Sequence, residues 1–190
     1  MTKTTNLDLY TWVKTDGVDV GQISSNFQTL DTVCHRADNL VLLGSAQLSA
    51  DAAQISAALS GWRPEQFHRL IFRFAGKVSS GGSGSGVNVS VTGADGNAYA
   101  VRMGQCSHSD SRDYQLSAHG EALLVDGTLW DVDYSYIMGL GTNLSSSARS
   151  GGRLTVSGAP AAVAISLTAE SGESQPVLRS GATLSVYGAV

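Results

Sequence analysis

Beyond residue 40, apolar and polar residues alternate along the chain with a period of two, which is typical of half-buried β-strands. Apolar residues occupy every second position of the segment 69–74, and the segment 87–92 alternates in the same way. Clusters of Gly, Ser and Asn separate these segments, as turn residues do between strands. The other predicted strands are 99–103, 122–125, 129–138, 153–156, 163–167 and 183–187.

Turn residues connect the predicted strands into antiparallel pairs. The segment 93–97, with the sequence GADGN, separates 87–92 from 99–103, and its Asp-Gly pair favours the tight turn of a β-hairpin. About eight short strands with this spacing predict an antiparallel β-sandwich, jelly-roll-like in type, over residues 41–190. The segment 46–59 is ambiguous, because its alanines favour a helix while its apolar residues alternate, and we favour a strand there.

Two tracts rich in Gly and Ser, 79–86 and 145–152, lie between predicted strands. Sequences of this composition behave as flexible linkers, and both tracts are too short and too central to separate two independent cores. We therefore predict that they are mobile loops between strands of one sandwich.

The first forty residues carry a different pattern. Between residues 20 and 36, apolar residues recur at steps of four and three, which places them on one face of a short amphipathic helix. Asp19 and Gln22 have the spacing of a capping box at its start. A single helix of this length is marginal without packing, so we predict that its apolar face packs either on the rest of the chain or on the same helix in neighbouring subunits. The predicted oligomerisation residues are Ile23, Phe27, Leu30 and Val33.

Composition narrows the class of protein further. The chain has 190 residues, of which 22 are Gly and 15% are charged. This charged fraction lies well below the usual ~25%, which argues against a helical bundle. The net charge is −4 and no basic run occurs, so we expect no nucleic-acid partner. No apolar run is long enough to predict a membrane span, and the N-terminus lacks the apolar stretch of a signal peptide.

Motifs of enzymatic chemistry are missing from the sequence. The Gly-rich tract at 81–86 lacks the Lys-Ser/Thr ending of a phosphate-binding loop and precedes a predicted strand instead of a helix. Neither a Gly-x-Ser-x-Gly elbow nor a set of four zinc ligands with useful spacing occurs. We therefore predict a protein that is not an enzyme, with no catalytic, cofactor-binding or metal-binding residues.

One group of acidic and aromatic residues forms a candidate ligand site. Asp131 and Asp133 share one face of a predicted strand, and a glycosidase uses two such carboxylates across a sugar. The alternative is an ordinary solvent-exposed face, with Val132, Tyr134 and Tyr136 directed inward. The predicted ligand contacts are Trp130, Asp131, Asp133 and Tyr114.

Several motifs resemble those of bacteriophage tail and appendage proteins. The segment 5–10 (TNLDLY), followed by the pattern V-x-x-I-x-x-N-F-x-x-L-D at 20–31, is similar to the N-terminal segment of these proteins. The segment 181–188 (GATLSVYG) is similar to the closing strand of a phage tail β-sandwich, and the segments 67–70 and 89–99 are similar to its early strands.

This resemblance implies a structural or host-recognition protein of the virion, made in the cytoplasm of the bacterial host. A tail fibre, a baseplate subunit and a head appendage or decoration subunit all fit it. The resemblance further implies a homotrimer that contacts other virion proteins through residues 1–40, while the β-sandwich projects outward toward a host-surface glycan. It implies no catalytic residues.

Two other classes of function remain open from the sequence. In a carbohydrate-binding module, Trp130, Tyr134, Tyr136 or the loop around Tyr114 would stack on sugar rings. In a small glycan depolymerase, Asp131 or Asp133 would act on the glycosidic bond.

Overall fold

The computed structural model describes residues 2–3, 10–11, 25–26, 40–79, 85–105, 112–140, 143–169, 172 and 174–189. The chain divides into two compact units, Met1–Val41 and Leu42–Val190.

In the first unit, strand β1 (Thr2–Lys3) pairs antiparallel with strand β2 (Tyr10–Thr11). The predicted helix at 20–36 lies outside the described residues except for Ser25 and Asn26, which are helical. The helix therefore stays a prediction. The same holds for the oligomerisation role of Ile23, Phe27, Leu30 and Val33, which also lie outside the described residues.

From Val41 onward the described residues form ten strands, which confirms the predicted mainly β fold. The strands are β3 (Val41–Gln47), β4 (Gln54–Ala58), β5 (Arg69–Val78), β6 (Gly86–Gly93), β7 (Ala98–Gln105), β8 (Tyr114–Asp126), β9 (Leu129–Leu140), β10 (Asn143–Thr155), β11 (Pro160–Thr168) and β12 (Thr183–Ala189). The ambiguous segment 46–59 contains β4, so the choice of a strand there is confirmed.

The ten strands form two antiparallel sheets that pack against each other as a sandwich. One sheet has the order β10-β9-β8-β5-β12-β3, and the other has the order β4-β11-β6-β7. The first of these ten strands neighbours the last, β4 neighbours β11, β5 neighbours β8, and β6 neighbours β7. This nested pairing is that of a long hairpin folded over on itself, which is a jelly roll. Strands β9 and β10 extend the larger sheet beyond it.

Alternate side chains of both sheets fill the space between them. The buried residues of the larger sheet include Leu70, Phe72, Phe74, Leu116, Trp130, Val132, Tyr134, Tyr136, Met138, Leu184 and Val186. Those of the smaller sheet include Ile55, Ala57, Val87, Val89, Val91, Met103, Val163, Ile165 and Leu167. The connection from β4 to β5 adds Trp62, whose ring centroid lies 5.4 Å from that of Trp130 and 5.8 Å from that of Phe67.

Two tyrosine hydroxyl groups join the sheets through hydrogen bonds. Tyr134 of β9 donates to the carbonyl oxygen of Arg102 in β7, and Tyr136 donates to the carbonyl oxygen of Gln105 over 2.8 Å. Gly104 lies between these two acceptors, and a Cβ atom there would approach the Tyr136 ring to 2.3 Å. The missing side chain therefore gives the Tyr136 ring room to reach across the core.

The tract 145–152 corrects the sequence analysis, because it lies within strand β10 and is not a loop. Its residues pair with β9 in continuous register, from Ser146 opposite Met138 to Gly152 opposite Val132. Ser and Gly weaken a strand but do not prevent pairing, and β9 offers a neighbouring backbone along this whole length. The other tract, 79–86, contains residues 80–84, which lie outside the described residues.

Removing the Tyr136 hydroxyl tests the link between the sheets. In Tyr136→Phe the ring still fills its space, but the Gln105 carbonyl oxygen loses its donor. We expect the free energy of unfolding to fall by about 1–3 kcal/mol, measured by urea denaturation. Ile137→Thr is the matched control, because Ile137 is 57% exposed on the same strand; its change should stay below about 0.5 kcal/mol. Equal stability of Tyr136→Phe and the original chain would contradict the prediction.

Candidate functional site

The outer face of the larger sheet carries a groove of about 810 Å³. Because Phe72, Phe74 and Tyr134 point into the core, the residues that alternate with them point away from it. The volume lies within the ~300–1,000 Å³ that is usual for small-molecule sites. Outward residues that line the groove include Arg73, Ser117, His119, Glu121, Asp133, Ser135, Arg149, Ser185 and Tyr187.

Antiparallel register arranges the charged residues of the groove in two rows that run across five neighbouring strands. Each residue in a row is the direct cross-strand partner of the next. The first row contains Ser185, Arg73, His119, Ser135 and Arg149, in the order β12, β5, β8, β9, β10. The second row contains Tyr187, Ile71, Glu121, Asp133 and Gly151 on the same strands.

Polar contacts connect neighbouring strands within the groove. Arg149 of the first row donates to the Asp133 carboxylate of the second row over 2.9 Å. The Ser135 hydroxyl oxygen lies 2.9 Å from Nε2 of His119. At the margin, Arg69 and Glu121 form an ion pair at 3.7 Å. These contacts orient groove side chains before any ligand arrives, which lowers the entropy cost of binding.

Tyr187 is half-buried on β12 and lines the groove as an outward aromatic residue, while the other aromatic residues of the lining, Phe74 and Tyr134, are buried in the core. The guanidinium carbon of Arg73, which is exposed, lies 5.9 Å from the centroid of this ring. This distance is within the range of a cation–π contact. The two side chains together form one end of the groove, with a planar apolar surface next to a positive charge.

The structure places the four predicted ligand contacts differently from one another. Asp133 lines the groove. Asp131 lies on the same outward face but does not line the groove. It forms an ion pair with Arg153 at 2.6 Å. Trp130 is 1% exposed and Tyr114 is 7% exposed.

The burial of Trp130 and Tyr114 corrects the prediction that they contact a ligand. Tyr134 and Tyr136, the other candidates for stacking on sugars, are also buried. Trp130 has the same parity along β9 as these two tyrosines, so it points into the core with them. Tyr187 is the outward aromatic residue that the prediction missed. It directly follows the alternating buried residues Leu184 and Val186, and this alternation was an available signal of an outward position.

Arg73, His119, Ser135 and Arg149 were also not predicted as site residues. The first three alternate with buried residues in their own strands, which is a signal of an outward position. Their convergence depends on the order and register of the strands, and the sequence does not contain that information locally.

The two carboxylates proposed for a depolymerase both have lowered pKa values. The hydrogen bond from Arg149 holds the pKa of Asp133 below its ordinary value of 3.8, and the hydrogen bond from Arg153 does the same for Asp131. A glycosidase needs one carboxyl group with a raised pKa, because that group donates the proton to the leaving oxygen. Neither aspartate has this property, so the pair does not support cleavage of a glycan.

Two other features were considered for the described part of the chain, a metal site and a membrane-spanning helix. There, no group of three or more His, Cys, Asp or Glu side chains is arranged to hold a metal ion. No helix among the same residues has the length and apolar character required to cross a membrane.

No known protein family matches the chain, and no curated protein matches it. We therefore infer function from the groove and from the sequence motifs.

Replacing Arg149 tests the electrostatics of the groove. Arg149→Gln should raise the pKa of Asp133 toward 3.8, because the charged hydrogen-bond donor is lost. An NMR titration of the side-chain carboxyl carbons measures this pKa. Arg153→Gln is the matched control, and it should raise the pKa of Asp131 without changing that of Asp133.

The lowered pKa of Asp133 also predicts that the stability of the fold depends on pH. Since the pKa of Asp133 is lower in the folded chain, its ion pair stabilises the fold above roughly pH 4. This contribution disappears as the pH falls through the lowered pKa. Arg149→Gln should therefore lose less stability on acidification than the original chain. An identical Asp133 titration midpoint in both chains would contradict the assignment of Arg149 as the cause.

Proposed function

We propose that this protein is a host-attachment subunit of a bacteriophage virion and that its jelly-roll sandwich binds a surface glycan in the groove. The observation that supports glycan binding best is the combination of an outward aromatic ring with charged and polar side chains on an open sheet face. Jelly-roll sandwiches occur in lectin domains and in viral capsids, so the architecture is compatible with both parts of the proposal.

The chemical groups of the groove match the surface of a saccharide. A sugar ring presents hydroxyl groups around its edge and C–H groups on its faces. Arg73, His119 and Ser135 offer hydrogen-bond donors, and Glu121 and Asp133 offer carboxylate acceptors. Hydrogen bonds to such charged groups are roughly twice as strong as neutral ones. The Tyr187 ring offers an apolar surface that a sugar face can cover.

The groove is built on strands, which suits recognition of a weakly apolar ligand. Its residues lie on five hydrogen-bonded strands whose opposite faces are packed in the core. Sites on such elements are held more precisely than sites on loops. A saccharide therefore meets side chains that need little further ordering, and more of the interaction energy contributes to affinity.

The lowered pKa values of the two aspartates favour a protein that binds a glycan without cleaving it. Asp133 is an ion-paired carboxylate with a lowered pKa, so the groove holds an acceptor at this position, and Asp131 outside the groove is ion-paired in the same way. A free-standing carbohydrate-binding module would use the same groove. The motifs at 5–10, 20–31 and 181–188 favour a virion subunit over such a module.

A trimer would increase the effect of each groove. We propose that residues 1–40 bring three copies together and attach them to other virion proteins, with Ile23, Phe27, Leu30 and Val33 in the shared interface. Three grooves that engage one cell surface gain avidity of roughly 10²–10⁴ over a single site when the geometry allows simultaneous binding. Modest affinity in each groove is then sufficient for attachment.

Loss of the aromatic ring provides the test of this function. We expect the full chain to bind glycans on an array of bacterial and capsular saccharides, and Tyr187→Ala to weaken that binding by roughly tenfold or more. Tyr99→Ala is the matched control, because Tyr99 is a half-buried tyrosine on β7 of the other sheet. Its binding should equal that of the original chain.

Two outcomes would contradict the proposal. An array on which the full chain binds no saccharide would exclude glycan binding, and equal losses in Tyr187→Ala and Tyr99→Ala would exclude the groove as the site.

For the assembly, sedimentation of the full chain should give the mass of three copies, and a monomer at micromolar concentration would contradict the trimer.

A further inference from the structure

Three of the four charged side chains in the groove are neutralised by a partner. Asp133 pairs with Arg149 at 2.9 Å, and Glu121 pairs with Arg69 at 3.7 Å. Arg73 is the exception: among the described residues, no carboxylate lies within ion-pair distance of its guanidinium group. The groove thus contains one positive charge that no described carboxylate balances.

Arg73 lies beside Tyr187 at one end of the groove. It lies in the first row on β5, between Ser185 of β12 and His119 of β8. The side chains of both neighbours can donate hydrogen bonds to an anion or to a sugar hydroxyl group. A ligand that packs on Tyr187 therefore comes within reach of the guanidinium group.

The contact with Tyr187 orients the guanidinium group but does not use its donors. The guanidinium carbon lies 5.9 Å from the ring centroid, and a cation–π contact involves the face of the ring and the charge, not an acceptor atom. Across the described residues, no acceptor takes a hydrogen bond from the Arg73 side chain. Its planar set of N–H groups therefore remains available, and this arrangement matches a carboxylate, which accepts two parallel bonds.

We infer that the groove selects acidic saccharides, in which the carboxylate of a sugar acid binds the Arg73 guanidinium while the ring of that sugar packs on Tyr187. This inference rests on the glycan-binding function proposed above and names the class of glycan. The adjacent Ser185 and His119 then contact hydroxyl groups of the same saccharide, and Ser135, bonded to His119, extends this contact toward β9.

Because the chain as a whole is negatively charged, selectivity for an acidic saccharide must come from residues of the groove. The chain has a net charge of −4, so its overall field repels anionic polymers. Attraction of an acidic saccharide must therefore come from the groove itself. Removing one positive charge at Arg73 should therefore reduce the affinity for acidic saccharides much more than removing one elsewhere on the surface.

The experiment uses three acidic polysaccharides, polygalacturonate, alginate and polysialate, together with their methyl-esterified, uncharged forms. Affinity electrophoresis of the full chain measures the dissociation constant for each polymer. We expect at least one acidic polymer to bind, with binding at least roughly tenfold tighter than that of its esterified form. Arg73→Gln should abolish this preference, and Arg73→Lys should restore only part of it, because lysine keeps the charge but not the planar set of donors.

Arg63→Gln is the control for net charge. Arg63 is exposed in the connection between β4 and β5 and does not line the groove, so this variant should bind like the original chain. Circular dichroism and thermal unfolding of each variant confirm that the fold is intact. Equal weakening by Arg73→Gln and Arg63→Gln would overturn the inference, because it would indicate general charge attraction.

The outcomes separate this inference from the proposed function. If neutral glycans bind in a manner that depends on Tyr187, and no acidic polymer is preferred, glycan binding stands and the acidic selectivity is wrong. If no saccharide of either kind binds, the proposed function itself fails, and the selectivity fails with it.

Discussion

Side chains of strand β9 point alternately into the core and out into the groove, and hydrogen bonds from Tyr134 and Tyr136 to carbonyl oxygens of β7 hold that register. A shift of one residue would bring Trp130 to the surface and bury the Asp133 carboxylate, reversing both faces at once. This shift of β9 would cost free energy on both faces of the sheet, because it exposes the large Trp130 side chain to water and removes the Asp133 charge from water. The packing of the core and the chemistry of the outer face are therefore two results of one register.

Pairing between strands extends this constraint across the larger sheet. Arg73, His119 and Ser135 are far apart in sequence but lie in one row, because β5, β8 and β9 are paired in continuous antiparallel register. The jelly-roll order then places β12 beside β5, which brings Tyr187 next to Arg73. A core that fixes the inward residues thus also fixes the spacing of the outward ones. This is why a recognition site can form on the strands themselves without a long ordered loop.

The period of two was sufficient to predict the sandwich and most of its strands, because one buried face imposes the alternation on each strand independently. Strand β3 and the first part of β8 were not predicted. The period was also not sufficient for β10, where Ser and Gly in 145–152 suggested a loop and the pairing with β9 decided otherwise. Trp130 was assigned to a ligand by the chemistry of its side chain, although its parity along β9 places it in the core. The groove was not predictable in the same way, because its residues become neighbours only after the strand order is known.

We propose that the outer face of the larger sheet recognises a saccharide, and a crystal structure of the full chain with the oligosaccharide that binds best on the array tests this. We expect a sugar ring against Tyr187, with its polar groups toward Arg73 and His119. A saccharide bound on the smaller sheet, or between loops away from both rows, would contradict the proposal.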